Sequence, residues 1–332
     1  MREPTMADIA AHLGVSRQLV SIVLRDMPGA SQETRKRVRE AAAALGYSPH
    51  MGARTLRQYR SRHIGVAFTP EDATESEIVE AIYAAAAQHG YRVVLSAQTT
   101  TRNTKQAVAE LTEYRCAALI VISPDLSPAA TEALAQRVKA PLTVIGFGRR
   151  NHSYDVVASA GDTGIALVVR HLVELGHRAI TYVHCEAMPP AAPRLAGYRQ
   201  AIAEAGLTED IVSVDGLDYT EESGSSAGRQ ILARDPMPTA VVTGNDQAAL
   251  GVMTVLSRAG VAIPEQVSLT GFDDSRVARL TSVDLTSARQ DPKKLAEAAI
   301  AAAVRRINNP NLRPTAFVLE PVLVVRSSTS PR

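Results

Sequence analysis

A small all-α domain joined to a two-lobed α/β body of doubly wound parallel sheets is the fold class this sequence predicts. Three observations predict it. The first stretch, to about residue 46, shows short segments of helical period punctuated by glycine. From residue 63 onward, short continuous apolar runs alternate with helical-period segments, and this series occurs twice. Charge divides at the same place. Residues 1–62 hold 11 Lys and Arg against 5 Asp and Glu, a net of +6, and the remainder holds 25 against 29, a net of −4. A basic head on an acidic body is the asymmetry of a phosphate-binding module.

In the head, Thr5 can cap a helix over 6–12, with Ile9 and Leu13 on one face. Gly14 supplies a left-handed turn that ends it. Ser16 can cap a second helix, 17–24, whose buried stripe is Leu19, Val20, Val23 and Leu24. Two short helices about a glycine turn fit a helix-turn-helix, which puts Arg17 and Gln18 at base edges in the major groove. Arginine suits guanine and glutamine suits adenine. Ser31 opens a third helix to about Leu45, stopped by Gly46, and Val38, Ala41, Ala42 and Leu45 close the core. Arg35, Lys36, Arg37 and Arg39 are either phosphate contacts or a solvated helix face.

These residues resemble a known family. Met6-Ala-Asp-Ile-Ala-Ala-His-Leu-Gly-Val-Ser16 with Val20-Ser21 is similar to the opening of the LacI/GalR bacterial repressors. Ser31, Thr34, Arg35 and Val38, then Leu45-Gly46-Tyr47 and Pro49, then Ala53-Arg54 and Leu56, match the rest of that head at its spacing. The resemblance implies double-stranded DNA as partner, a near-palindromic operator contacted through Thr5, Ser16, Arg17, Gln18, Ser21, Arg25, Ser31, Thr34, Tyr47, His50, Ala53 and Leu56. It implies further that 49–57 is a hinge helix ordering on the operator, with Leu56 wedged between base steps in the minor groove. A nine-residue helix is marginal alone, and apolar wedges of this kind do kink DNA. The other reading of Leu56 is a linker residue docked on the body. Leu19, Ile22, Arg25 and His50 depart from the family pattern, which points to an operator unlike the common one.

After a basic linker, strands are expected at 64–68, 91–96, 117–122 and 142–147, with helices at 76–88, 105–114 and 129–138 between them. A second series follows. Its helices are 163–175, 194–205, 223–233 and 247–259, and its strands 179–183, 211–214, 239–243 and 267–271. A late helix at 293–307 and a late strand at 321–325 complete the chain, and the tail 327–332 reads as frayed. Continuous apolar strands in β-α-β order require a parallel sheet covered on both faces.

Two such lobes imply a cleft at the carboxyl ends of the strands. The body resembles periplasmic sugar-binding proteins, the effector fold of the same family, through His171-Leu-Val-Glu-Leu-Gly-His-Arg178, Arg194 with Gly197-Tyr198, Thr243-Gly-Asn-Asp-Gln-Ala-Ala-Leu-Gly251 and Ile263 to Asp274. The resemblance implies three crossings between lobes, near Ala158, Gln290 and Glu320. The expected division is a DNA-binding domain at 1–46, hinge and linker at 47–62, and an effector-binding and dimerisation domain at 63–332. Within the last, lobe 1 is 63–158 with 291–320, and lobe 2 is 159–290 with 321–332. It further implies Arg194, Asn245, Asp273 and Gln290 as polar effector contacts, chemistry suited to adjacent hydroxyls or a ring oxygen. Phe68 and Phe147 end strands at the cleft and either stack on a ring or belong to the core. Asp273 could instead turn its loop, Arg194 could pair with an acid, and Asp246 caps the helix at Gln247. Ala160-Gly161 and Met188-Pro-Pro-Ala-Ala-Pro193 depart from the family.

No Walker loop, nucleophile elbow or zinc-protease pattern occurs, so no catalytic site, metal or cofactor is expected. Cys116 and Cys185 read as small apolar residues beside strands. No apolar run reaches membrane length, and the N-terminus lacks a secretory core, so a cytoplasmic location without membrane contact is expected. The expected function is a repressor of carbohydrate or related metabolic genes, a homodimer or tetramer governed by a small sugar-like effector. No leucine heptads for a tetramer tail follow Val325. The competing class is a sugar-binding protein without regulatory DNA binding.

Overall fold

The computed structural model describes residues 4–24, 27–47, 61–146, 152–185, 191–214 and 219–332. The chain divides into two compact units, Met1–Ser61 and Arg62–Arg332.

The first unit contains α1 (Met6–Leu13), α2 (Arg17–Leu24) and α3 (Gln32–Ala44). Thr5 and Asp8 form a reciprocal capping box: the Asp8 amide donates to the Thr5 hydroxyl, and the Thr5 amide donates to the Asp8 carboxylate at 2.7 Å. Gly14 sits at φ 62°, ψ 33°, where its N–H closes α1 and turns the chain through 113° into α2. Ser16 accepts from the Leu19 amide and Ser31 from the Thr34 amide. Ile9, Ala10, Val20, Val23, Val38, Ala41 and Ala42 form the core, with Leu13, Leu24 and Leu45 at its edge. Leu19, expected inside, is only half-buried and lies outside this cluster.

The second unit holds two sheets. The first comprises β1 (His63–Phe68), β2 (Arg92–Ala97), β3 (Ala118–Ile122), β4 (Leu142–Ile145), β5 (Asp155–Ser159) and β11 (Ala316–Leu319), ordered β11-β5-β4-β3-β1-β2 and wholly parallel. Helices α4 (Ala73–Gln88) and α11 (Pro292–Asn308) cover one face through Ile78, Ile82, Leu295 and Ile300. Helices α5 (Thr104–Glu113) and α6 (Pro128–Arg137) cover the other.

The second sheet comprises β6 (Ile180–Cys185), β7 (Ile211–Val214), β8 (Ala240–Thr243), β9 (Ser268–Asp273), β10 (Thr286–Arg289) and β12 (Val322–Val324). Its order is β12-β10-β9-β8-β6-β7, with only β12 antiparallel. Helices α7 (Gly161–Glu174) and α8 (Ala191–Glu204) pack on one face, α9 (Glu221–Leu232) and α10 (Asp246–Arg258) on the other. The chain passes between sheets after β5, after β10 and after β11.

Three strands, β5, β10 and β11, were not expected from the sequence. The tail is also different from the expectation of a frayed end. Ser328 is buried, its hydroxyl donating to the Leu269 carbonyl at 2.6 Å and accepting from the Thr286 amide at 2.8 Å. The Arg332 amide donates to the Leu175 carbonyl. Small hydroxyl side chains here substitute for the apolar anchors that sequence patterning looks for. Both cysteines are buried, and burial pushes the Cys116 thiol up to about 11.

Helices α9 and α10 approach closely because Gly224 has no side chain: a Cβ there would lie 2.0 Å from the Ala248 carbonyl oxygen. Gly224→Ala is therefore expected to force the helices apart and destabilise the body by ~1–3 kcal/mol, as overpacking typically does. Urea unfolding, read as a lower midpoint at unchanged slope, checks this.

Candidate DNA-reading head and effector cleft

In the head, Arg17 and Gln18 are exposed at the start of α2, with Ser21 and Ile22 half-buried one turn later on the same side. That arrangement leaves the start of α2 free to enter a major groove. The Thr5, Ser16 and Ser31 hydroxyls serve as helix caps, and Ser31 also bonds the Thr34 hydroxyl at 2.8 Å. Tyr47 packs at the core edge, with its amide bonded to the Ala42 carbonyl. Arg35 is half-buried. Its guanidinium donates to the Ala30 and Met27 carbonyls and holds the turn before α3. Lys36, Arg37 and Arg39 are exposed. Arg25, His50, Ala53 and Leu56 lie outside the described residues, as does Phe147 in the body.

In the body, the carboxyl ends of the second sheet's strands gather a buried polar cluster. Arg194 rises from α8, 9% exposed, and donates to the Gly244 carbonyl at 2.7 Å. Its guanidinium lies 4.1 Å above the Phe272 ring and 3.5 Å from the Asp273 carboxylate. Space for that stack comes from α7, where a Cβ at Gly164 would strike Phe272 at 2.5 Å and one at Gly161 would crowd Arg194 at 3.1 Å. The Ala160-Gly161 departure thus has a packing role beneath the cluster.

Asp273 ends β9 at φ 111°. One carboxylate oxygen accepts from Gln290 at 2.5 Å and from Arg194, and the other accepts from the Thr74 hydroxyl at 3.2 Å. Thr74 belongs to α4, so this last bond crosses from one lobe to the other. Asp72, the α4 cap, stands close enough to influence Asp273, and burial raises its own carboxyl. Asn245 is the cap of α10, its side-chain oxygen accepting from the Ala248 amide at 2.8 Å while its nitrogen donates to the Tyr219 carbonyl. Asp246 is not the cap. It is fully buried, accepting from the Ser287 hydroxyl and the Ser275 amide, each at 2.7 Å. Burial pushes Asp273 up to about 8, with Arg194 opposing the rise and Asp246 adding to it; Asp246 itself rises to about 7 through burial.

Four residues anticipated for the cleft are thus near one another: Arg194, Asp273 and Gln290 in direct contact, and Asn245 beside Gly244. Phe68 packs against the apolar cluster shared by α4 and α11. Sequence reasoning missed Thr74, Tyr219 and Phe272. Phe272 lay inside a quoted motif, and Tyr219, buried with its hydroxyl 3.3 Å from that of Tyr182, precedes a helix cap that could have flagged it.

Comparisons with known proteins bear on the family and the fold. Residues 5–50 match the model for bacterial regulatory proteins of the lacI family, and residues 169–329 match the periplasmic binding protein-like domain. The HTH-type transcriptional repressor PurR of Glaesserella parasuis serovar 5 (strain SH0165) is 30% identical over 333 residues, covering 98% of both chains. The lac repressor dimer bound to operator and the anti-inducer ONPF superposes with a TM-score of 0.85 at 28% identity, covering 99% of this chain and 100% of that one. The transcriptional regulator CelR in complex with cellobiose gives 0.71 at 26% identity over 98% of this chain and 99% of that one. A basic helix-turn-helix head, a two-sheet α/β body and these full-length matches lead to one conclusion: the chain belongs to the LacI family of DNA-binding bacterial transcriptional repressors.

Proposed function

We propose that this chain acts in the cytoplasm as a homodimeric repressor whose hold on a near-palindromic operator is set by a small polar effector, a sugar or sugar derivative, in the cleft between lobes. The observation that carries the reading is the buried meeting of Arg194, Asp273 and Gln290 from one lobe with Thr74 from the other. A molecule with adjacent hydroxyls and a ring oxygen matches those donors and acceptors. A solved relative, CelR, is a transcriptional regulator in complex with cellobiose, which supports a sugar as the class of effector. In the head, Arg17 and Gln18 read bases, Ser21, Arg25, Thr34, Tyr47 and His50 contact the duplex around them, and Ala53 and Leu56 enter the minor groove at the operator centre. Effector and operator are coupled reciprocally, typically by ~1–3 kcal/mol. The regulated genes are carbohydrate or related metabolic genes.

Leu56→Ala tests the head. It removes the wedge and is expected to weaken operator binding by roughly tenfold or more, since the contacts that a kinked duplex permits outweigh the few kcal/mol that unstacking costs. Effector affinity should stay unchanged. Fluorescence anisotropy with a labelled operator reads the first quantity and calorimetry with a panel of sugars, sugar phosphates and nucleobases reads the second. Undiminished DNA binding would remove the wedge from the account.

A further inference from the structure

The two lobes share no apolar interface among the described residues. Each hydrophobic cluster of the body draws its members from one sheet and its own helices. What joins the lobes, besides the three crossings of the chain, is a run of polar contacts from one short stretch of lobe 1. The Glu71 carbonyl accepts from the Gln247 side chain at 3.2 Å. Thr74 donates to Asp273. One helical turn further on the same face of α4, Glu77 accepts the Arg276 amide at 2.8 Å and two bonds from the Arg279 guanidinium, at 2.7 and 2.8 Å. Arg279 is aimed by its own lobe, because its other terminal nitrogen donates to the Asp274 carbonyl at 2.9 Å. Among the described residues, every hydrogen bond to the Glu77 carboxylate comes from lobe 2.

We propose that Glu77 and Arg279 form a latch that holds the lobes closed and sets how often the cleft opens. A carboxylate that meets one guanidinium nitrogen through both oxygens, with a backbone amide on one of them, is a charge-assisted contact of defined geometry. It is also breakable. The side chains are 24% and 43% exposed, so water competes with the pair and salt screens it. A buried apolar interface would fix one state, whereas a solvent-accessible polar latch permits two populated ones. The latch begins two residues after Asp274 and three after Asp273, so whatever displaces Thr74 from Asp273 acts on the same turn of chain. The latch itself does not depend on what the cleft binds.

Charge exchange tests it. Spin labels at Lys105 and Glu222 sit at the exposed starts of α5 and α9, which spring from the outer strands β2 and β7 on opposing rims of the cleft. Distances are read by pulsed electron resonance on full-length chain diluted with unlabelled chain. The wild-type protein should show a dominant short distance. Glu77→Arg and Arg279→Glu should each raise the ratio of long to short populations by up to roughly fivefold, the upper range for a solvent-accessible pair. Raising salt should shift the wild type toward the long distance. Unchanged distances in both single variants, or a wild-type distance indifferent to salt, would each overturn the latch.

Discussion

Replacing Asp273 by Ala is expected to abolish the response of operator binding to effector while the body remains folded. The carboxylate is where three side chains from two lobes converge, and it is buried. Losing hydrogen bonds to a charged or shared-proton group lowers effector affinity by about 10–100-fold, from ~1.5–3 kcal/mol. Calorimetry with whichever compound first alters operator binding checks this, and full affinity in the variant would remove Asp273 from the site. Asp273→Asn makes a second readout, because asparagine tolerates the positive φ. Both buried carboxyls titrate above the ordinary aspartate value, Asp273 at about 8 and Asp246 at about 7. These two groups hold more protons in the folded than in the unfolded chain between about pH 4 and pH 8, so their contribution lowers stability as pH rises through that window. Asp273→Asn removes one of them, so its loss of stability between about pH 5 and pH 8 should be shallower than the wild type's. Denaturant unfolding across that range reads the slope.

The second large effect belongs to the other lobe. Asp155, fully buried at the start of β5, accepts from Arg305 at 3.1 Å, Arg306 at 3.2 Å, and the Thr315 amide and hydroxyl at 2.8 and 2.9 Å. It ties the end of α11 to β5 and β11, the strands next to the lobe crossings. Asp155→Ala leaves two guanidinium groups facing each other without their shared anion. Breaking a buried ion cluster from one side costs about 3–5 kcal/mol, a large part of a domain's stability. Urea unfolding should show that loss, and one below about 1 kcal/mol would mean that water replaces the carboxylate readily.

Much of this was legible in advance, for identifiable reasons. Helices opened where a side chain could cap them, as at Thr5, Ser16 and Ser31, and closed at glycines that turn left-handed, as at Gly14 and Gly46. Central strands such as β3 and β8 are apolar on both faces, and their sequences say so. β10 did not show, because Thr286-Ser-Ala-Arg289 carries hydroxyls rather than hydrocarbon. Those hydroxyls are satisfied inside the fold, Thr286 by the Arg326 carbonyl and Ser287 by Asp246. Ser328 gives no apolar signal in the sequence for the same reason, since its hydroxyl is satisfied inside the fold. Motif resemblance singled out Arg194, Asp273 and Gln290, which touch one another, and Asn245 close by, but motifs cannot show contacts between lobes. Thr74, which reaches Asp273 across 199 positions of sequence, and Glu77, which reaches Arg279 across 202, depend on how the lobes close.

The central claim is that this repressor reads a symmetric operator through its head. Selection of bound duplexes from a random DNA pool by the purified full-length protein, at near-physiological salt, tests it most directly. The account predicts enrichment of a two-fold symmetric site with a flexible central step, sharpened or dispersed by pooled sugars and other metabolites. A pool that stays random both with and without those metabolites would contradict it.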